Sequence, residues 1–271
     1  MTDVHPSAIV DPRAELADDV VVGPFAVVEG GVVLSRGCVL HPHAIVRRGA
    51  WLGAGNVVHP FAVIGGAPQA KRPGAGEPRV EAGEGNVFRE HVTVHGGTEG
   101  RTTRIGAANL FMVGAHVAHD VVLGSSCVLS NGAQLAGHAV VEDWVTFGGL
   151  SGVTQFVRVG ESAFVAAASA CEADVPPFVI VQGDRARVRG VNLVGLARRG
   201  VPAGSVAALR RAVRRIWLSR ATRAQALREL EGASDPYVQR LLASLARVAA
   251  PGPGVAAASP RRVANVGEKE R

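Results

Sequence analysis

The chain has 271 residues, 47% hydrophobic and only 4% aromatic, with 34 glycines, 15 prolines and a formal net charge of +6. That length suits one elongated domain plus a smaller one, and so many glycines point to a fold built of tight corners. Met1 to Val20 holds Asp3, Asp11, Arg13, Glu15, Asp18 and Asp19 rather than a basic start joined to an apolar run, so a cytoplasmic protein without stable membrane insertion is expected.

From Val4 an apolar residue recurs every six positions, through Val10, Leu16, Val22, Val28, Leu34, Leu40, Val46, Leu52 and Val58 to Ile64. The pattern resumes at Ile105 and runs through Phe111, Val117, Leu123, Leu129, Leu135, Val141, Phe147, Val153, Val159 and Val165 to Cys171. A helix needs spacings of three and four and a half-buried strand alternates by two, so a period of six marks a repeat architecture. Four residues after each large apolar position stands a compact one, such as Ala8, Ala26, Cys38, Asn56, Ala115, Cys127 or Ala139. Three hexads then close one triangular coil of eighteen residues, and stacked coils satisfy each other's backbone hydrogen bonds. The expected fold is mainly β, a parallel β-helix over 1–184. Cys38, Cys127 and Cys171 all sit on repeat positions and read as buried packing residues rather than disulfides or ligands.

Two stretches break the repeat. Residues 65–79 (GGAPQAKRPGAGEPR) fit no hexad and are expected as an external loop, and a shorter excursion is expected near Gly96 to Arg104. Beyond Pro176–Pro177 the period disappears. Residues 205–219 place Val206, Leu209, Val213, Ile216 and Trp217 at helical spacing, and Asp235-Pro236 reads as the capped start of a second helix ending before Pro251. A helical domain is therefore expected over 185–250, and the Ala-, Pro- and charge-rich 251–271 reads as a disordered tail. Residues 1–184 hold 11 lysines or arginines against 18 acids, a net of −7, whereas 185–271 hold 18 against 5, a net of +13. The helical end therefore suits an acidic partner. Nucleic acid is not expected, because neither a recognised motif nor an aromatic stacking platform accompanies the charge.

Histidines gather at His91, His95, His116, His119 and His138. An eighteen-residue coil stacks His119, Gly137 and Gln155 in one column at a spacing of roughly 4.8 Å, and stacks His138 on Asp120. An imidazole, an adjacent carboxylate and a glycine N–H converging at one corner suit acyl transfer, as base, orienting group and oxyanion donor. A rival use of His95, His116 and His119 is zinc binding, as in carbonic-anhydrase-like hexapeptide enzymes. The carboxylate next to His119 favours the oriented base, so no metal and no cofactor are expected. A non-catalytic trimeric scaffold is the remaining alternative.

VGAHVAHD (Val113 to Asp120), LAGH (Leu135 to His138), QF (Gln155 and Phe156), DVPPFVIVQG (Asp174 to Gly183) and GVNLVGLARRG (Gly190 to Gly200) resemble the UDP-N-acetylglucosamine 3-O-acyltransferases that begin lipid A biosynthesis. The resemblance covers about residues 4–248. It implies a left-handed coil, a homotrimer with sites between adjacent solenoids, and a 3-hydroxyacyl chain moved from acyl carrier protein to UDP-N-acetylglucosamine. It further implies His119 as general base, Asp120 as its orienting carboxylate and Gly137 as the donor to the thioester oxygen. His95, His116, His138 and Gln155 match substrate-positioning residues, Asn192 and Arg198 match contacts to donor or nucleotide, and Arg199 continues the basic pair. Ala167 matches the position that stops the acyl chain. The family's QDLK loop reads Gln69-Ala70-Lys71-Arg72 here, which offers Gln69 and either Lys71 or Arg72 to the nucleotide. Ala70, Thr154 and Val194 replace a family aspartate, histidine and glutamate, so N-acylation of a 3-amino sugar nucleotide is the variant to test.

Overall fold

The computed structural model describes residues 2–247, so the tail at 251–271 lies outside the described residues. Strands of mostly two residues stack in parallel into three sheets of eleven, nine and eight strands, which form the first, second and third faces of a left-handed β-helix. The first faces begin at Asp3–Val4, the second at Ile9–Val10 and the third at Glu15–Leu16. Register advances by eighteen, as in Val21 on Val39 or His116 on Gln134. In each two-residue strand the second side chain points inward: Val22, Leu34, Leu40, Leu123, Leu129 and Leu135 are at most 2% exposed. Burying one such chain is worth about 1.5–3 kcal/mol, so the repeated interior accounts for the period of six.

The corners are made by residues at positive φ, many of them not glycine. Phe25, His43, Phe61 and His91 all adopt φ between 57° and 63°, and their rings stack at 5.1–5.2 Å along one edge. Inside the coil a buried ladder of Asn56, Asn86 and Asn109 links successive turns, each side-chain oxygen accepting the next coil's N–H at 2.7–3.1 Å.

The repeat does not stop between Ile64 and Ile105. Ala82, Phe88 and Val94 are fully buried and carry one more coil. Insertions on either side shift that coil out of register with the rest, which hides it from a fixed period. The strands run to Gly66 and resume at Arg79, so the external loop spans 67–78 rather than 65–79; the second excursion is 96–101, between Thr93–His95 and Thr102–Ile105.

At the far end an antiparallel hairpin, Val179–Gln182 with Arg187–Val191, continues the first face past residue 184. Four helices follow: α1 Leu193–Arg198, α2 Ala203–Trp217, α3 Arg223–Leu230 and α4 Pro236–Arg247. Of these, α2 and α4 match the expected helices. Leu209, Val213, Ile216 and Trp217 bury the apolar face of α2 against the other helices and the hairpin, whereas Val206 is only half-buried. Asp235 caps α4 by accepting the N–H groups of Tyr237 and Val238 at 3.0 and 3.1 Å. Glu161 of the β-helix pairs with Arg199 at 2.6 Å and Arg240 at 2.9 Å, fastening the helices to the last coils.

Candidate active site

Corners two residues beyond each inward side chain carry an N–H that the coil does not need. Pro6, Pro12, Pro24, Pro42 and Pro60 occupy this phase in the early coils, where the absence of an N–H costs no hydrogen bond. In the later coils the same phase holds His119, Gly137 and Gln155, and no acceptor among the described residues takes the Gly137 N–H. A donor that the fold leaves free lies directly beside the histidine ring. A Cβ placed on Gly137 would lie 2.6 Å from His119 Cε1 and 2.8 Å from Nε2, so the ring packs on bare backbone.

His119 follows the second-face strand His116–Val117 and is 8% exposed. Its Nδ1 lies 2.8 Å from Asp120 Oδ2. An ionised carboxylate only accepts, so Nδ1 carries the proton and Nε2 is left as the basic nitrogen. Asp120 sits at φ 61°, a corner conformation that turns its carboxylate back under the ring. Its N–H donates to Thr103 Oγ1 at 2.9 Å. The carboxylate also receives the Thr98 hydroxyl at 2.7 Å and the Thr98 N–H at 3.2 Å, with Arg101 Nε 3.5 Å away. Burial pushes this carboxyl up, but hydrogen bonds from His119 and Thr98 outweigh it and hold the group below its ordinary range.

The neighbouring histidines are neutral. Burial, then the nearby His116 and His119, pushes His95 down to about 4. His116 is lowered by burial and by His119; its Nδ1 shares a hydrogen bond of 2.8 Å with Thr93 Oγ1. His138 is lowered mainly by burial, against the pull of Asp120, whose Oδ2 lies 3.6 Å from its Nε2; its ring stacks on Phe156 at 4.8 Å. His95 meets His116 edge-on at 4.9 Å, and its buried Nδ1 has no partner among the described residues. Among the described residues, the group of three whose potential ligand atoms all lie within 4.8 Å of one another is His119, Asp120 and His138. His95, His116 and His119 form no such set within the chain, and Asp120 is already committed to Thr98 and His119.

Gln69 reaches from the external loop to line one cleft with His116, His119, Gly137 and Gln155. Lys71 and Arg72 are both exposed on that loop. Ala167 is exposed and precedes the second-face strand Ala170–Cys171, whereas His119 follows a strand of the same face. The two therefore flank the second face at opposite edges, with outward-facing Gly152 and Ala170 between them.

Two residues are engaged within the chain. Asn192 caps α1 by accepting the Gly195 N–H at 3.0 Å and donates to Ser162 O at 2.9 Å, and it is 6% exposed. Arg199 pairs with Glu161, donates to Ser162 Oγ and lies over the Trp144 ring, whereas Arg198 is exposed. Of the basic pair, Arg198 is the one open to a partner. Sequence reasoning missed Thr98 and Arg101, because the 96–101 turn departs from the repeat that located the rest, and Thr103, which lies on the strand Thr102–Ile105 that follows that turn.

A β-helix of hexad coils bearing a buried histidine–carboxylate pair beside a free N–H is the framework of a hexapeptide-repeat transferase. Residues 174–251 match the family described as UDP N-acetylglucosamine O-acyltransferase, domain 2. The chain is 48% identical over 252 residues to the acyl-[acyl-carrier-protein]--UDP-N-acetylglucosamine O-acyltransferase of Thiobacillus denitrificans, covering 91% of this chain and 97% of that one. It is 52% identical over 251 residues to the enzyme of the same name from Alkalilimnicola ehrlichii, with the same coverage. Among solved structures, the UDP-N-acetylglucosamine O-acyltransferase LpxA of Moraxella catarrhalis superposes with a TM-score of 0.86 at 34% identity, covering 97% of this chain and 99% of that one. The chain belongs to the acyl-[acyl-carrier-protein]--UDP-N-acetylglucosamine O-acyltransferases.

Proposed function

We propose that the protein transfers a 3-hydroxyacyl chain from acyl carrier protein to the 3-hydroxyl of UDP-N-acetylglucosamine, the first step of lipid A biosynthesis. The observation that carries this reading is the His119–Asp120 pair at 2.8 Å beside the unengaged Gly137 N–H, in a chain of this family. His119 Nε2 takes the proton of the sugar hydroxyl as its oxygen attacks the thioester carbonyl. The Gly137 N–H meets the developing oxyanion. As the tetrahedral intermediate collapses, the C–S bond breaks and the imidazolium returns its proton to the leaving thiolate. Asp120 stabilises the imidazolium and holds the ring. His95, His116, His138 and Gln155 position the acceptor, with Gln69 and Lys71 or Arg72 reaching it from the loop. Arg198 meets the acidic carrier protein, while Asn192 and Arg199 hold the helical domain against the last coils.

The working unit is a homotrimer. Outward residues of the first face are almost all apolar and half-buried, including Val39, Val57, Val87, Leu110, Val128 and Phe164. The start of the second face continues with Ile9, Val27, Ile45 and Val63, whereas the third mixes Glu15, Glu81, Arg104 and Arg158 with Val33, Trp51, Val122 and Val140. First face on second face is a head-to-tail contact that closes as a ring, and it sets a neighbour's surface beside the cleft of His119. No helix among the described residues is long and apolar enough to cross a membrane, and a cytoplasmic location fits the substrates. The test is turnover of purified protein with 3-hydroxyacyl carrier protein and UDP-N-acetylglucosamine beside its 3-amino analogue. An ester product from the hydroxyl acceptor supports the reading; product from the amine alone, or from neither, overturns it.

A further inference from the structure

Asp120 does not rely on its own coil for its place. Its carboxylate side chain is 5% exposed, and the turn 96–101 folds over it from outside the repeat. Thr98 meets both oxygens: its N–H lies 3.2 Å from each, and its hydroxyl donates to Oδ2 at 2.7 Å, the oxygen that also receives His119 Nδ1–H. The turn is itself braced. Arg101 N–H donates to Thr98 O at 2.8 Å, and the Arg101 guanidinium reaches Thr98 Oγ1 at 3.3 Å and Glu99 at 2.8 Å. The same turn seats the external loop, since the Glu99 N–H donates to Pro73 O at 2.9 Å and Gly76 packs on Gly100 too closely for a Cβ.

We infer that Thr98 is a positioning residue for the transfer, its hydroxyl and N–H fixing the Asp120 carboxylate so that the His119 ring has one orientation over Gly137. The inference rests on the proposed role of the His119–Asp120 pair and extends it to a residue outside the repeat. A buried carboxylate with two strong acceptor oxygens rotates toward whatever donors remain when one is removed. Losing the hydroxyl would leave Oδ2 with His119 and the longer 3.2 Å contact of the Thr98 N–H, and freer to swing toward Arg101 or His138, whose nitrogens lie 3.5 and 3.6 Å from the carboxylate. The loop seat runs through the Glu99 backbone and would survive. The defect should therefore fall on kcat rather than on the KM for the sugar nucleotide.

The charged and titratable groups facing the pair are Arg101, with Glu99 behind it, His138 from the next coil, and His116 and His95 beside His119. Only the Thr98 hydroxyl changes in Thr98→Val, and this donor is one of those holding Asp120 low. Its removal lets Asp120 take a proton more readily, so the acid limb of kcat/KM moves to higher pH.

The experiment compares full-length wild-type, Thr98→Val and Thr98→Ser proteins by kcat, KM, pH profile, Tm and the NMR signal of the His119 Nδ1–H proton. Expected for Thr98→Val are a kcat at least about tenfold lower, a sugar-nucleotide KM within about twofold, an acid limb shifted upward and a displaced imidazole proton signal, as for loss of one hydrogen bond to a charged group. Thr98→Ser should restore kcat to within about threefold, because it keeps the donor. If Thr98→Val lowers only Tm, with kcat, pH profile and proton signal unchanged, Thr98 merely braces its turn and the inference is overturned. If Thr98→Val does not fold, a Thr98→Ser protein with wild-type pH profile and proton signal beside a Thr98→Ala protein displaced in both supports it; wild-type behaviour in Thr98→Ala overturns it. His119→Ala in the same series separates the two readings: an active His119→Ala would sink the catalytic pair itself, whereas the proton signal reports on Thr98 without turnover.

Discussion

Replacing Gly137 by alanine adds one carbon atom at the point where the His119 ring packs against the backbone. That Cβ would sit 2.6 Å from Cε1, 2.8 Å from Nε2 and 3.2 Å from Nδ1. Ordinary contacts between such atoms begin near 3.5 Å, so the ring must retreat by about 0.7–0.9 Å. Its Nδ1 cannot retreat and stay 2.8 Å from Asp120 Oδ2. Displacing a reacting group by about 1 Å costs on the order of a hundredfold, and we expect kcat/KM to fall by about that factor. The fold should not suffer. Gly137 is not among the positive-φ residues, so alanine fits its backbone, and a Gly-to-Ala change at such a site stabilises by about 0.4–1 kcal/mol through the unfolded chain. The assay is kcat/KM together with Tm for Gly137→Ala, His119→Ala and the double variant. Because Gly137→Ala acts through the ring, it should add little on top of His119→Ala. A Gly137→Ala protein with unchanged Tm and activity within about threefold of wild type would refute the packing of the ring on Gly137.

Arg198→Glu should raise the KM for acyl carrier protein and flatten the salt dependence that wild type shows, since charges at a docking surface are screened over about 8 Å at physiological ionic strength; a wild-type rate indifferent to salt would contradict it. Arg199 is left alone in that test because its guanidinium is held by Glu161. Ala167→Gly should extend and Ala167→Met shorten the preferred acyl chain, each methylene being worth about 0.8 kcal/mol, and identical donor profiles for the three proteins would show that the groove ends elsewhere. Acid stability should report on His95. An unfolded histidine takes up its proton near 6.5, whereas His95 stays neutral until about 4, so proton uptake favours unfolding and stability falls as pH drops through that window. A His95→Gln protein should show a shallower fall of Tm over the same range, and an equal slope would count against the burial of a neutral ring.

The interior of the coil was legible because only the second residue of each strand faces inward, which imposes the spacing from Val10 to Ile64 and from Ile105 to Cys171. The same eighteen-residue coil places His119, Gly137 and Gln155 in one column. Where insertions broke the count, reading failed: Ala82, Phe88 and Val94 are as buried as any repeat residue but stand in a coil flanked by 67–78 and 96–101. Thr98 was invisible for the same reason, since a turn outside the repeat has no register from which to compute its neighbours. Arg198 and Arg199 look alike in sequence. Only the position of Glu161, 38 residues before Arg199, separates an exposed cation from a paired one. The six-residue α1 is too short for a periodic signal, and it begins where Asn192 caps it.

The central claim is that His119 takes the proton of the acceptor hydroxyl. Its most direct test is the turnover of His119→Ala against wild type, measured with 3-hydroxyacyl carrier protein and UDP-N-acetylglucosamine on protein shown to fold and assemble as wild type does. Loss of a general base costs about a hundredfold to ten-thousandfold, and a residual rate in that range is the expected result. A folded His119→Ala protein that keeps more than about a tenth of wild-type turnover would contradict the account.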